Sequence, residues 1–287
     1  MSRAAAVLRE LLAEPRLHVM PCCFDAFSAR LVELAGFPLT FMSGFAVSAV
    51  RLGLPDTGLI SYGEMVDQGR NLCEAVTIPV IGDADTGYGN ALNVKRTVRG
   101  YARAGFACAM IEDQLAPKRC GHTRGKEVVS RAEALARVRA AVDAREEGAA
   151  ILVMARTDAR ATLGIEEAIW RGRAFAELGA DVVFVEAPLD ERELERVARE
   201  ISAPKMVNLV EGGDTPLLPA ARLEAMGYRI AARPLTLLAA AARAMEQALA
   251  ALREGLEPAG LLSFAELRQR VGFPAYDAER LRYAGND

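Results

Sequence analysis

Asp83 and Asp85 stand one residue apart at the end of the run IPVIGDAD (78–85). On a strand, side chains two apart point to the same side. Two carboxylates held that close repel unless they share a proton or a cation. Oxygen-only ligation by a few carboxylates, completed by water or substrate, suits Mg²⁺ or Mn²⁺ better than zinc. The only histidines, His18 and His122, are too few and too far apart for an obvious zinc triad. Glu112 and Asp56 are further carboxylates able to orient metal-bound waters. In isolation, an Asp-x-Asp is otherwise a turn that caps the next helix.

A second group follows the acidic run Ile111-Glu112-Asp113-Gln114: Lys118-Arg119-Cys120-Gly121-His122. Neighbouring cations favour a thiolate and lower the pKa of Cys120, which suits acid–base work. Gly121 allows an unusual backbone turn beside the thiol. The segment up to Ser130 has little apolar content, the composition of a mobile lid that closes over substrate. A lone loop cysteine is usually incidental; this one sits behind a strand that ends in carboxylates.

Eight short apolar runs could position these groups: 18–25, 39–44, 78–85, 107–113, 151–158, 181–187, 205–211 and 229–234. Between them lie stretches with helical periodicity at 26–35, 61–76, 91–104, 130–147, 165–178, 190–200 and 215–226. Strand then helix, repeated without a Pro/Gly-rich linker, predicts an α/β fold of the (β/α)8 TIM-barrel type over 1–255, with an N-terminal helix. A doubly wound open sheet is the rival, and Arg229 and Arg233 sit oddly in an eighth buried strand. Seven of the runs end in groups able to do chemistry: Asp25, Ser43-Gly44, Asp83 with Asp85, Glu112-Asp113, Arg156 with Asp158, Glu186, and Asn208 with Glu211. Singly these are caps or loop residues; together, at one end of a barrel, they describe an active-site face.

The bulk numbers are those of an ordinary globule: 287 residues, 52% hydrophobic, 25% charged, net charge −3. No basic stripe points to nucleic acid. No apolar run approaches the roughly 20 residues needed to cross a bilayer, and the charged N-terminus does not read as a signal peptide. The 5 cysteines form neither a disulfide framework nor a zinc pattern, so a reducing, cytoplasmic setting is expected.

The sequence resembles the isocitrate lyase/phosphoenolpyruvate mutase superfamily in MSGFAVSA (42–49), IGDADTGYGN (81–90), IEDQ (111–114), KRCGH (118–122), ARTDA (155–159) and NLVEGGDTP (208–216). The likeness spans roughly residues 16–255, and its length is that of the short branch that includes 2-methylisocitrate and 2,3-dimethylmalate lyases. It implies Mg²⁺ on Asp83 and Asp85, with Asp56 and Glu112 joining through water. It also implies a catalytic set of Cys120, Arg156, Lys118, His122 and Glu112. Ser43, Gly44, Phe45, Arg119, Gly121, Glu186, Asn208 and Arg233 would contact a small carboxylate substrate. A homotetramer is implied too, with a helical arm at 256–287 exchanged between subunits.

The implied reaction splits a 2-hydroxy acid between C2 and C3, giving an α-keto acid and a carboxylate-stabilised carbanion that Cys120 protonates. In 2-methylisocitrate lyases the eighth strand resembles YPLSAFR, whose arginine helps bind a third carboxylate. Here Arg233-Pro234-Leu235-Thr236-Leu237-Leu238-Ala239 lacks that arginine, which favours a substituted malate. Arg233 is either a substitute charge or a solvent-facing strand end. Oxaloacetate hydrolase, phosphoenolpyruvate/phosphonopyruvate mutase and a non-catalytic barrel are the alternatives.

Overall fold

The structure, a computed structural model, describes residues 1–120 and 125–284. Eight parallel strands close in chain order into a barrel: β1 (His18–Cys23), β2 (Thr40–Met42), β3 (Val80–Asp83), β4 (Cys108–Glu112), β5 (Leu152–Thr157), β6 (Val182–Val185), β7 (Lys205–Asn208) and β8 (Ile230–Arg233). Closure runs through β8 against β1, with His18 opposite Ile230 and Pro21 opposite Arg233. The expected (β/α)8 barrel is the observed fold. The eighth strand forms because Arg229 precedes it and Arg233 ends it, leaving Ile230, Ala231 and Ala232 as its buried part.

The helices are α1 (Arg3–Ala13), α2 (Ala26–Leu34), α3 (Gly44–Leu52), α4 (Tyr62–Ala75), α5 (Ala91–Ala104), α6 (Arg131–Glu146), α7 (Ala159–Leu163), α8 (Ile165–Glu177), α9 (Glu191–Glu200), α10 (Ala220–Met226), α11 (Thr236–Arg253), α12 (Phe264–Val271) and α13 (Phe273–Tyr283). Helices α3 and α7 were not expected; both start directly behind strand ends. The helix expected from 215 begins only at Ala220, because Pro216 and Pro219 delay it. The strands are shorter than their apolar runs, so several polar endings lie in the turns beyond them.

Strand alternation explains how the barrel interior is filled. Met20, Phe41, Ile81, Met110, Met154, Phe184, Met206 and Ile230 pack in one core with Leu8, Leu11 and Leu12 of α1. The next residue on the same side of a strand is two positions on. From Phe41, Ile81, Met110, Met154, Phe184 and Met206 that step gives Ser43, Asp83, Glu112, Arg156, Glu186 and Asn208. Six candidate site positions thus continue the apolar columns that build the core, four at or next to the last residue of their strands and two, Ser43 and Glu186, one residue beyond them.

The chain forms two compact units, Met1–Leu237 and Leu238–Asp287, and the first contains all eight strands. The division falls inside α11, ahead of the expected boundary at 255. In the second unit, the helical arm expected over 256–287 contains two helices, α12 and α13, separated at Gly272 with φ 98°. None of the residues of α11, α12 or α13 is buried. No helix among the described residues is long and apolar enough to cross a membrane.

Candidate active site

A cavity, part of an opening that encloses about 580 Å³ including space open to solvent, lies at the C-terminal ends of the strands. Its lining includes Ser43, Phe45, Asp56, Asp83, Glu112, Lys118, Arg119, Cys120, Arg156, Glu186 and Asn208, eleven positions singled out from the sequence. Gly121 and His122 lie outside the described residues.

On one side the cavity is acidic. Strand β3 ends at Asp83, so alternation along a strand is not what brings Asp85 to it. Asp85 adopts a left-handed conformation (φ 47°), which an aspartate tolerates better than most residues, and its N–H donates to Asp83 Oδ1 at 3.1 Å. Behind them, the Tyr101 hydroxyl donates to the Asp83 carbonyl at 2.6 Å. Gly44, the first residue of α3, donates its N–H to Asp83 Oδ2 at 3.1 Å. A Cβ on Gly44 would sit 2.6 Å from that oxygen, so any other residue here would displace the carboxylate.

Lys118 supplies the cation on this side. Its Nζ donates to Asp56 Oδ1 at 2.5 Å and lies 2.8 Å from Asp85 Oδ1, with all three side chains buried. Burial, reinforced by repulsion from Asp85, pushes Asp83 up to about 6. Burial also raises Asp56, against the opposing pull of Lys118. Glu112 is held well above the usual carboxylate range by burial, although Arg156 opposes it. Burial alone would lower Lys118, but Asp85, Asp83, Asp56 and Glu112 outweigh it and hold the ammonium well above its ordinary value. Sequence reasoning named Lys118 without foreseeing this place among the acids.

The donor set fits a divalent cation. Asp85 Oδ1 and Glu112 Oε1 are buried with no hydrogen-bond partner, Lys118 approaching the former outside hydrogen-bond geometry. Such oxygens are what a cation or its waters would satisfy. Among the described residues no three His, Cys, Asp or Glu side chains are arranged as a ready cage. Asp83 and Asp85 would therefore give part of a shell, with the remainder from water and substrate, as Mg²⁺ accepts.

A second cluster is built around Arg156. Its guanidinium grips Asp158 with two parallel bonds of 2.8 and 2.9 Å and lies 3.2 Å from Glu186 and 3.4 Å from Glu112. These carboxylates outweigh the effect of burial and raise the Arg156 pKa further, so its charge is fixed. Asn208 Nδ2 donates to Glu186 Oε2 at 3.1 Å, joining the ends of β7 and β6. Ala187, left-handed at φ 56°, turns the chain immediately after Glu186.

Cys120 is half-buried on the cavity wall. The residue before it is bracketed by Gln114: the side-chain amide donates to Arg119 O and accepts from Arg119 N, both at 2.9 Å. The five cysteines form no disulfide.

Arg233 does not line the cavity; its guanidinium lies 3.4 Å from Glu211, which also accepts from Thr236. Pro234, Leu235 and Val210 do line it, and sequence reasoning missed them. The signal was available in the turns after β7 and β8, but apolar residues there carried no chemical mark.

Residues 8–253 match the phosphoenolpyruvate phosphomutase family. The chain is 44% identical over 272 residues to 2,3-dimethylmalate lyase of Eubacterium barkeri, covering 93% of this chain and 94% of that one. A solved structure of oxaloacetate acetylhydrolase with the inhibitor 3,3-difluorooxalacetate superposes with a TM-score of 0.93 at 35% identity, over 99% of this chain and 98% of that chain. A phosphonopyruvate hydrolase complex with oxalate and Mg²⁺ superposes with a TM-score of 0.86 at 29% identity, over 98% of this chain and 99% of that one. With the closed barrel, the match over 8–253 and the 44% identity in agreement, the chain belongs to the phosphoenolpyruvate phosphomutase family, within the isocitrate lyase/phosphoenolpyruvate mutase superfamily.

Proposed function

We propose that this carbon–carbon lyase cleaves a 2-hydroxy dicarboxylate of the substituted-malate class into an α-keto acid such as pyruvate and a carboxylic acid. The observation that carries the reading is the mixed lining of the cavity. Asp83, Asp56, Lys118, Glu112 and Arg156 are charged parts of it, while Val210, Pro234 and Leu235 are apolar parts. Two carboxylates and a hydroxyl have partners there. Alkyl substituents have an apolar surface, and the only strand-eight cation, Arg233, is engaged with Glu211 outside the lining. That supports a dicarboxylate over a tricarboxylate such as 2-methylisocitrate.

Asp83 and Asp85 would hold Mg²⁺ or Mn²⁺, with Asp56 and Glu112 joining through water. When bound, the ion lowers the cost of ionising a hydroxyl and of making a carbonyl from it. The cavity carboxylates Asp56 and Glu112, beside the ion and not its direct ligands, are groups placed to accept the hydroxyl proton. As the C2–C3 bond breaks, its electron pair moves to C3 and the hydroxyl oxygen becomes the ketone of the other fragment. Arg156, fixed by Asp158, opposes the negative charge that develops. Ser43 and Phe45 shape the end of the cavity beside α3, and Glu186 with Asn208 contacts the departing end. Cys120 gives its proton to C3, with Arg119, Gly121 and His122 beside it in the segment.

The exposed helices of the second unit carry Leu249, Leu252, Phe264, Phe273 and Tyr276 on their surfaces. We infer from them the exchanged arm of a homotetramer, which light scattering tests. A reducing cytoplasmic setting suits a thiol used as an acid.

The test is a panel of 2- and 3-alkyl malates, 2-methylisocitrate, oxaloacetate and phosphonopyruvate with Mg²⁺. Keto-acid release should be greatest from an alkyl malate. Oxalate from oxaloacetate as the fastest reaction would favour a hydrolase, and phosphorus exchange would favour a mutase. Release from no member by metal-loaded protein would defeat the lyase reading.

A further inference from the structure

Lys126 does not line the cavity, yet it is buried and tied to it. Its Nζ is 2.9 Å from Asp158 Oδ1, with the two side chains 3% and 0% exposed. An ammonium that deep is costly unless paired. The same Asp158 oxygen accepts from Arg156 Nη2 at 2.9 Å, while the other oxygen accepts from Arg156 Nε at 2.8 Å. One carboxylate thus joins a lysine outside the cavity to the guanidinium on its wall.

The mount of that carboxylate is equally determined. The Asp158 N–H donates to Asp113 Oδ1 at 2.9 Å. Asp113 Oδ2 accepts from Thr157 Oγ1 at 2.7 Å and from Arg171 at 2.9 Å. Arg171 also donates to the Val129 carbonyl at 2.9 Å, on the limb that carries Lys126. This limb, returning from Cys120, pairs with the outgoing one: Gln114 bridges Val128, and Leu115 N–H donates to Glu127 O at 2.8 Å. Gln114 brackets Arg119, the residue before Cys120.

We propose that Lys126 is a positioning residue for Arg156: from the limb returning from Cys120, it fixes the Asp158 carboxylate that clamps the guanidinium. The inference rests on the reading of Arg156 as a substrate-facing charge. Arg156 lies near three carboxylates, Asp158, Glu186 and Glu112. Without Lys126, Asp158 keeps its undivided charge and loses an anchor, so the guanidinium is drawn into a different balance among the three. With the ammonium in place, part of the Asp158 charge is already neutralised and more of the Arg156 field reaches the cavity. Arg156 geometry therefore depends on the limb that also presents Cys120.

The experiment compares Lys126→Met, Lys126→Gln and Lys126→Arg in the full-length, Mg²⁺-loaded enzyme and in an Arg156→Lys background. Lys126→Met should lower kcat by about 10–100-fold with little change in KM, the scale of losing an outer support. Lys126→Arg, which keeps the charge, should recover most of it. In the Arg156→Lys background the Lys126→Met effect should largely vanish, because the two residues act as one unit. Effects that multiply in the double variant, or a Lys126→Met enzyme with lowered Tm but unchanged kcat, would overturn the proposal. Lys126→Gln keeps a donor toward Asp158 and is read by the same criteria where Lys126→Met does not fold. Arg156→Lys with full activity would instead overturn the underlying reading of the site.

Discussion

Lys118 Nζ stands 2.8 Å from Asp85 Oδ1, so the segment that carries Cys120 also places a cation against the acidic end of β3. The link is chemical as well as spatial. Repulsion among Asp83, Asp85, Asp56 and Glu112 is offset by an ammonium from the segment holding the proposed acid, together with the Arg156 guanidinium.

Replacing Lys118 by Met should destabilise the metal-free protein. Removing one partner of a buried ion pair leaves the other charge uncompensated, at a cost of about 3–5 kcal/mol. Saturating Mg²⁺ should return much of that loss by supplying positive charge to the same carboxylates. Urea unfolding with EDTA and with Mg²⁺ measures both quantities. An equal loss under the two conditions would contradict the arrangement.

Asp83 gives a pH dependence of definite sign. Its folded pKa, about 6, is above the ordinary 3.8. Between those values the native state holds a proton that the unfolded chain has released. In metal-free protein this group's contribution to stability is therefore present at low pH and is lost as pH rises through 6. A divalent cation competes with the same proton, so Mn²⁺ affinity should weaken as pH falls through 6. Calorimetric titration of Mn²⁺ across that range, beside urea unfolding in EDTA, reads both trends.

Gly44→Ala tests the contact between α3 and the acid pair. The added methyl would meet Asp83 Oδ2 at 2.6 Å, while the rest of α3 need not change. Mn²⁺ affinity should fall by about 10–100-fold, as when an outer partner of a ligand is disturbed. Far-ultraviolet dichroism should remain that of the parent. Unchanged affinity would show that Asp83 is not held as a ligand through Gly44.

Cys120→Ser should reduce turnover by about 10²–10⁴-fold, the usual contribution of a positioned acid. Tm should change little, because Cys120 is half-buried and lies outside the barrel strands. Steady-state rates and thermal melts on the same samples separate the two effects.

Much of the fold was readable because its signals are local and repeated. Eight apolar runs marked eight strands, and Asp83, Glu112, Arg156 and Asn208 stood where inward-facing columns reach the barrel mouth. The relation of Asp85 to Asp83 was foreseen for the wrong reason, since a left-handed turn, not strand alternation, joins them. Lys118 among the acids and Lys126 on Asp158 were invisible for a different reason. Each pairing spans tens of residues, and a lysine in a polar segment looks the same in sequence whether it is solvated or buried. Pro234, Leu235 and Val210 were passed over because apolar residues carry specificity only through the shape they share.

The most direct test of the account is cleavage of a substituted malate in D₂O, followed by NMR with Mg²⁺ or with EDTA. Stoichiometric keto acid, with one deuterium placed at C3 of the other fragment, is the predicted outcome. Both the reaction and the labelling should be lost with EDTA and nearly lost in Cys120→Ala. Unabated keto-acid release in EDTA, or an unchanged rate of labelled product from Cys120→Ala, would contradict it.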